Sequence, residues 1–339
     1  MSEHTRREFL GVTLPGTVAL GAGLAALQPS SAFGAEQQLS QAAGQAVRSY
    51  GASRYRMELE GTQAGWLDSV AGGDATSDVV LDNLQRKHLA GVKYEDIVLT
   101  CGTGMSMSFY DWIKTTIEKG RVPKNGAIIA FDYNGRPISR LEWSNGLITE
   151  VGFPACDASS KDAAKITVKI TPVATRMVSA QSAVGSGMAM QKRWSPANFR
   201  AQISGCPNAC SHVSMIDAIV LKVSSASNIG PTRSYQASGA RLEIPNLILT
   251  IPESEAAEFY KWHEDFVIKG GFSNAANEKS GTLEYLTPDM KSSLFTLSFA
   301  GLGIFKLAPE KTEGGAQAIP RVRAEMYCDS LGFAYSSLA

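Results

Sequence analysis

The residues best suited to chemistry are two cysteines and a histidine within seven positions, Cys206, Cys210 and His212. Thiolate and imidazole groups are ligands for zinc and attachment points for haem. Three residues separate the cysteines, whereas zinc knuckles and haem motifs place two between them. The spacing therefore favours a disulfide between Cys206 and Cys210, or two unpaired thiols, over a metal or redox centre.

The run Gly102-Thr103-Gly104 lies between a predicted strand and a predicted helix. Phosphate-binding loops need glycine at such a junction because backbone N–H groups must approach the anion closely. This run lacks the third glycine of a dinucleotide motif and the Gly-Lys-Ser/Thr of a P-loop. We expect a structural turn here.

No other set of residues has the spacing of a catalytic centre. The four histidines are dispersed, no Gly-x-Ser-x-Gly elbow occurs, and the acidic pair Glu264-Asp265 falls on the polar side of a predicted helix. Catalysis needs titratable groups that converge in a cleft. We therefore expect no enzyme activity, no cofactor and no bound metal.

The chain contains a repeat of itself. Residues 96–120 align without a gap with residues 246–270, at an offset of 150 positions. Both copies contain Phe-Tyr-x-Trp, and aromatic residues make up only 8% of the chain. The repeat is too long for a solenoid unit and has the size of a small domain, which indicates a tandem duplication.

Each copy predicts a strand followed by an amphipathic helix. Apolar residues recur at i, i+3, i+4, i+7 and i+8, the spacing of one helix face. The predicted core residues of the repeat are Phe109, Trp112, Phe259 and Trp262. Pro252 and the glutamates after it suit the first turn of the second helix.

Alternating strands follow both helices, and Asn134-Gly135 between two of them is a strong hairpin signal. The predicted fold class is α+β, mainly β, with two tandem β-barrel or sandwich domains that each pack one helix. The first domain spans residues 54–178 and the second residues 202–339. Residues 179–201, rich in Ser, Ala, Gly, Met and Gln, are predicted to be a linker.

The N-terminus differs from the rest of the chain. Arg6-Arg7, the pair Phe9-Leu10, a weakly apolar stretch and small residues near Ala35 occur in the order of a twin-arginine export signal. We assign residues 1–35 to this signal and residues 36–53 to a leader. The signal predicts a periplasmic or extracellular protein; cytoplasmic assembly is the alternative if these residues are not a signal.

Composition limits the partners. Lys plus Arg and Asp plus Glu both number 32, so the formal net charge is zero, which argues against a nucleic-acid partner. The body of the chain has no apolar run of about 20 residues, the length that a membrane-spanning helix needs.

Residues 65–95 are predicted to form a long extended hairpin or arm, with strand structure near residues 78–80. A loop of this length in a compact domain usually has a function. We expect this arm to carry contacts between subunits. The candidate assembly residues are Gly72, Gly73, Asp78, Arg86, Lys87, His88 and Lys93.

The chain resembles the contractile-phage tail tube family, which includes the tube and hub proteins of contractile injection systems. The resemblance rests on the motifs at residues 55–61, 72–73, 93–100 and 109–112, and in the second copy on residues 245–250, 259–262, 281–285 and 302–304. It implies barrels that join edge to edge into a hollow ring of six domains. Ordinary tube subunits have one domain, so this chain would form a trimer or a hexamer, with stacked rings and other tube-like subunits as further partners.

These observations predict a structural protein that assembles with itself into rings or tubes and has no catalytic activity. Two alternatives remain open. One is an exported binding module whose duplicated barrels hold a ligand or another protein. The other is an exported metal or redox protein that uses the cysteines and His212.

Overall fold

The computed structural model describes residues 54–179, 194–224, 241–310 and 319–337. The predicted signal at residues 1–35 and leader at residues 36–53 lie outside these residues. All the described residues belong to one compact unit, Tyr50–Ala339. Among them, no helix has the length and hydropathy needed to cross a membrane.

The described strands number twenty-one. They are β1 Arg54–Leu59, β2 Thr62–Leu67, β3 Ser69–Gly72, β4 Ala75–Thr76, β5 Val79–Leu81, β6 Lys87–Leu89, β7 Lys93–Tyr94, β8 Ile97–Cys101, β9 Lys124–Phe131, β10 Pro137–Phe153, β11 Cys156–Asp157, β12 Ile166–Thr171, β13 Ala174–Ser179, β14 Phe199–Ile203, β15 Met215–Ile216, β16 Ile219–Ser224, β17 Arg241–Glu243, β18 Leu247–Pro252, β19 Lys279–Leu286, β20 Ser293–Pro309 and β21 Arg321–Tyr335. The described α-helices are α1 Met107–Lys119, α2 Pro207–Ser211 and α3 Ala257–His263.

The strands form two large antiparallel sheets. The first runs in the order β2-β1-β9-β10-β12-β8-β3, and β13 and β16 also pair with β10. The second runs in the order β11-β15-β18-β21-β20-β19-β14. Side chains of β8 and β12 alternate between buried and half-buried, as the period of two requires. The mainly β prediction with two sheet regions is confirmed in this coarse form.

Helix α1 packs against strands of both sheets, β2 and β10 of the first and β21 of the second, through the face that its periodicity predicts. Its buried residues are Phe109, Tyr110, Trp112, Ile113, Thr116 and Ile117. The helix ends at Gly120, whose φ of 83° suits glycine and whose N–H donates to the carbonyl of Thr116.

The second helix begins later than the sequence indicates. Pro252 is the last residue of β18 and has extended backbone angles. The N–H of Glu253 donates to the carbonyl of Pro320 at 2.9 Å, so the chain still pairs here with the residue that precedes β21. A 3-10 turn at Glu253–Glu255 then leads into α3, which continues as a π-helix at Glu264–Ile268.

The longest strand of the first sheet and the longest strand of the second have the same length and bend at corresponding positions. β10 and β20 each contain 17 residues, and each has several register shifts, one of which lies in its last third. The register shifts between Ile148 and Glu150 in β10 and between Ile304 and Lys306 in β20. A bulge bends a strand and increases its twist, so both strands turn a corner at the corresponding place.

The sheets exchange strands across the sequence boundary. β16, from the range of the second predicted domain, pairs with β10 of the first sheet, and β11, from the first range, pairs with β15 of the second. The predicted linker is also partly structured: Trp194 is buried and residues from Phe199 onward form β14. Burial of the large apolar indole stabilises this end of the segment. The rest of the predicted linker, residues 180–193, lies outside the described residues.

An aromatic cluster lies where the two sheets meet. Trp194 contacts Tyr285 and Phe295 edge to face, with ring centroids 4.9 and 5.5 Å apart. Tyr110 of α1 packs on Phe295 at 5.3 Å, and the Tyr285 hydroxyl donates to the carbonyl of Pro154 at 3.0 Å. The two sheets therefore share one hydrophobic core.

Candidate assembly surface

The predicted arm is a two-stranded extension of the first sheet. β3 pairs with β8 in the sheet, then β4 pairs with β7, and β5 pairs with β6 farther along. β5 begins at Val79, inside the region where the sequence predicts strand. The structure thus has the long hairpin at residues 69–94, which we call the arm.

Two glycines let the chain leave the sheet. Gly72 has a φ of 78°, and a Cβ there would lie 2.0 Å from the carbonyl oxygen of Asp96. Gly73 has a φ of 85°, and a Cβ there would lie 2.7 Å from Leu141. A side chain at Gly72 would meet backbone, so the arm depends on glycine at its base.

The tip of the arm is a hydrogen-bonded turn. The Asp82 carboxylate accepts from the N–H groups of Leu84 at 2.8 Å and Arg86 at 2.9 Å, and from Arg86 Nε at 2.9 Å. These bonds, led by the one from the Arg86 backbone, lower the pKa of Asp82. Lys93 forms an ion pair with Asp78 across the arm. The arm therefore has a defined conformation.

The arm exposes apolar side chains to solvent. Its large exposed residues, 56–70% accessible, are Val79, Leu81, Leu84, Leu89 and Val92. Scattered exposed apolar residues are ordinary, but a group of five on one protruding hairpin is typical of a protein-binding surface. None of these five apolar residues is among the assembly residues that the sequence predicts, which are glycines and polar or charged residues.

The predicted assembly residues occupy different parts of the arm. Gly72 and Gly73 lie at the base, Asp78 and Lys93 form the ion pair, and Arg86 belongs to the turn. Lys87 and His88 are exposed in β6, opposite Leu81 and Val80. The structure brings all seven onto one hairpin without forming a site for a small ligand.

The predicted core residues of the repeat are all buried. Trp112 Nε1 donates to the carbonyl of Val122 at 2.7 Å. Trp262 lies against Phe259 and Phe266, with the Lys279 ammonium 5.2 Å from its ring, and its own Nε1 has no hydrogen-bond partner. Both indoles thus serve packing.

The candidate thiol site does not form. Cys206 and Cys210 are both free, buried thiols around α2, which is the second of the two arrangements that the sequence left open. Burial raises the pKa of Cys206 to about 11 and that of Cys210 to about 12. His212 is exposed and bonds Ser211 and the carbonyl of Asn208. Within the described ranges, no cluster of His, Cys, Asp or Glu could hold a metal ion.

The second half of β20 has an open edge. β21 pairs with one side of β20 as far as Pro309, but β19 covers the other side only as far as Leu302. In the part of the chain that the structure describes, no strand pairs with that side of residues 303–309. The corresponding side of β10 is covered by β16. An unpaired edge of this kind accepts a strand from a neighbour.

Part of the first sheet and the whole arm match a known protein family. Residues 52–172 match the family of the T4-like virus tail tube protein gp19. The tail tube match extends from β1 through β12 and includes α1 and the whole arm. That family is structural and not enzymatic, in agreement with the prediction that this chain is not an enzyme.

Solved structures similar to part of the chain come from tail tube systems and injection systems. A chain of the extended sheath–tube complex of the extracellular contractile injection system PVC is 20% identical, with a TM-score of 0.35, over 40% of this chain and 95% of that chain. A chain of the anti-feeding prophage cap is 22% identical, with a TM-score of 0.33, over 38% and 89%. Hcp1 from Flavobacterium johnsoniae is 12% identical, with a TM-score of 0.29, over 38% and 96%. No curated protein matches the sequence.

Proposed function

We propose that this protein is a structural subunit that assembles with itself into a ring or tube and catalyses no reaction. The observation that carries the proposal is the tail tube match of residues 52–172, in which the arm is included. The exposed apolar residues of the arm and the open edge of β20 supply surfaces for contacts between copies.

We infer that the chain is a tandem duplication of one tube-like barrel. The alignment of residues 96–120 with 246–270 supports this inference. The strands β10 and β20, of equal length and with one register shift at the corresponding place, support it further. In this reading, the first barrel corresponds to the tail tube match and the second has diverged in sequence.

A ring of six barrels would need three such chains. Six chains would instead form a ring in which the second barrels make an additional layer. Head-to-tail contacts, in which two different surfaces of the subunit meet, form a closed ring when the rotation between neighbouring copies allows it. Other tube-like subunits would stack on such a ring.

We also propose export through the twin-arginine route, on the motif at residues 5–10 and the small residues near Ala35. The assembly would then lie outside the cytoplasm. Cell fractionation of the native chain beside an Arg6→Lys, Arg7→Lys variant tests this point. Equal export of both chains would contradict it.

The direct test of assembly is negative-stain electron microscopy of the purified chain, with light scattering on the same sample. Rings or tubes with about three or six times the 36.2 kDa chain mass are expected. A monomer over a wide concentration range would overturn the proposal and favour a binding module.

A further inference from the structure

We propose that the arm strand β4 of one copy adds to the open edge of β20 in a second copy, with Ala75 opposite Leu307. This inference rests on the proposed self-assembly and identifies the strands and the register that perform it. The occupant of the open edge is a second copy of this chain, because the chain already makes the corresponding contact within itself.

Corresponding positions in the two sheets follow from strand pairing. In the first sheet, Leu99 of β8 lies opposite Val168, and Val168 lies opposite Val151 of β10. In the second sheet, Leu249 of β18 lies opposite Ala324, and Ala324 lies opposite Leu307 of β20. Val151 of β10 therefore corresponds to Leu307 of β20.

The hairpins that leave each sheet correspond in the same way. Ser69 pairs with Thr100 as Met215 pairs with Thr250. Farther along, Thr76 pairs with Lys93 as Lys222 pairs with Glu243. In both comparisons, the residue on the first strand of the hairpin and its counterpart are 146 positions apart in the sequence. The residue on the second strand and its counterpart are 150 positions apart. Ala75 of β4 therefore corresponds to Leu221 of β16.

The contact within the chain gives the register. Leu221 of β16 lies opposite Val151 of β10, and the neighbouring pair is Lys222 with Glu150. Replacing each residue by its counterpart places Ala75 opposite Leu307. The neighbouring pair becomes Thr76 with Lys306.

Backbone geometry agrees with this register on the arm. The N–H of Glu95 donates to the carbonyl of Asp74 at 2.9 Å, so the polar backbone groups of Asp74 point towards β7. Residues of an antiparallel strand alternate in the direction of these groups. Ala75, the next residue, therefore directs its N–H and C=O to the free side of β4.

The same alternation holds on β20. The N–H of Glu310 donates to the carbonyl of Arg321 at 2.8 Å, so Glu310 and Ala308 face β21. Leu307 then directs its N–H and C=O to the open edge. Ala75 and Leu307 can exchange two hydrogen bonds, the pattern of strand addition.

The contact is compatible with the surface of the single chain. Ala75 and Thr76 are exposed, as are Phe305 and Lys306 on the accepting strand, and Leu307 is half-buried. Donor and acceptor strands lie on different parts of one chain, so repetition of the contact adds copies head to tail. The contact between copies, β4 with β20, then reproduces the contact within each chain, β16 with β10. First and second barrels alternate around the assembly.

A cysteine cross-link tests the register in the full chain. Ala75→Cys and Leu307→Cys are introduced separately, both in a Cys328→Ser background that removes the half-exposed native thiol. Directly opposed strand positions have the Cα separation of about 5.5 Å that a disulfide needs. Mixing the two single variants under mild oxidation should give a covalent dimer on a non-reducing gel, and neither variant alone should do so.

Lys306→Cys replaces Leu307→Cys as the matched control, because neighbouring strand residues point to opposite faces. We expect at least a tenfold lower dimer yield with Ala75→Cys. Equal yields, or no cross-link in samples that still form rings, would overturn the proposed register and leave self-assembly intact. Absence of rings in the native chain would overturn self-assembly itself.

A proline variant tests the same bond without cysteines. Ala75→Pro removes the outward N–H and leaves the β4–β7 ladder intact, whereas Ala75→Val keeps that N–H. Light scattering should show a loss of assembly only for the proline variant, with unchanged melting of the chain. Rings in both variants would overturn the proposal.

Discussion

The hydroxyl of Tyr335 donates a hydrogen bond to the Asp111 carboxylate across 2.6 Å. This bond joins β21 of the second sheet to α1, which also contacts β2 and β10 of the first sheet. The Tyr335 ring also lies 5.2 Å from the Tyr110 ring. The polar pair therefore lies at the rim of the aromatic contact between the two sheets and holds the helix in place.

Tyr335→Phe should destabilise the chain by about 1 kcal/mol, the usual contribution of one hydrogen bond. Burial and the neighbouring Asp111 raise the pKa of Tyr335 to about 12. A raised pKa means that the folded state holds the proton more tightly, so this stabilisation is present below pH 10 and is lost as the pH rises towards 12. Chemical denaturation of both proteins at pH 8 and pH 11 checks the prediction; a difference that stays constant with pH would contradict it.

The exposed apolar residues of the arm should matter for assembly and not for folding. Leu84→Ser with Leu89→Ser removes two of them, and surface changes usually alter stability by less than about 0.5 kcal/mol. We expect unchanged thermal melting and a strongly reduced ring population by light scattering. Tyr133→Ser removes an even more exposed aromatic side chain outside the arm. Loss of rings in that control as well would show that assembly does not depend specifically on the apolar residues of the arm.

The two core tryptophans should respond differently to phenylalanine. Trp112→Phe leaves the buried carbonyl of Val122 without its 2.7 Å donor, whereas Trp262→Phe removes an N–H that has no partner. Trp112→Phe should therefore be more destabilising by about 1 kcal/mol. Alanine at either position should cost about 3–5 kcal/mol because it leaves a large cavity. Urea unfolding measures the free energy of unfolding of all four variants. An unchanged value for Trp262→Ala would refute the role of Trp262 in the core.

Gly72→Ala should destabilise the base of the arm. The new Cβ would lie 2.0 Å from the carbonyl of Asp96, and the positive φ strains any side chain, so a loss of at least about 1–3 kcal/mol is expected. Gly91→Ala is the control, because its Cβ would meet nothing within 4 Å although its φ is also positive. Hydrogen exchange of β3 and β8 locates the effect. Equal losses in the two variants would assign the cost to φ alone.

A charge network on the first sheet should make stability depend on pH. Glu142 accepts from Arg176 at 2.8 Å and from Arg140 at 2.9 Å, and these bonds lower its pKa. A lowered pKa stabilises the fold at neutral pH, and the contribution disappears as the pH falls through the folded value. Glu142→Gln should lose up to about 1 kcal/mol at pH 7 and almost nothing at pH 2. A loss of the same size at both pH values would show that packing is responsible.

The arm illustrates how far sequence patterns reach. Gly72-Gly73, several aspartates and the basic run Arg86-Lys87-His88 predict an extended hairpin, and the structure contains it. The apolar side chains that its strands expose were not predicted, because exposure depends on whether another strand or helix covers them. The aromatic spacing of α1 likewise predicts its buried face, since that face follows from 3.6 residues per turn.

The sequence by itself determined the strand and helix types, the repeat around the two Phe-Tyr-x-Trp motifs and the absence of a catalytic spacing, because these depend on local residue order. Only the tertiary structure decided that β16 crosses to β10, that Trp194 enters the shared core and that Cys206 and Cys210 stay unpaired. It also decided that, among the described strands, none covers one edge of the end of β20. Paired strands can be far apart in the sequence, as Phe199 and Tyr285 are, and any strand with a suitable alternation of apolar residues could pair with several others. The pairing is decided by the packing of the whole core, which no local pattern contains.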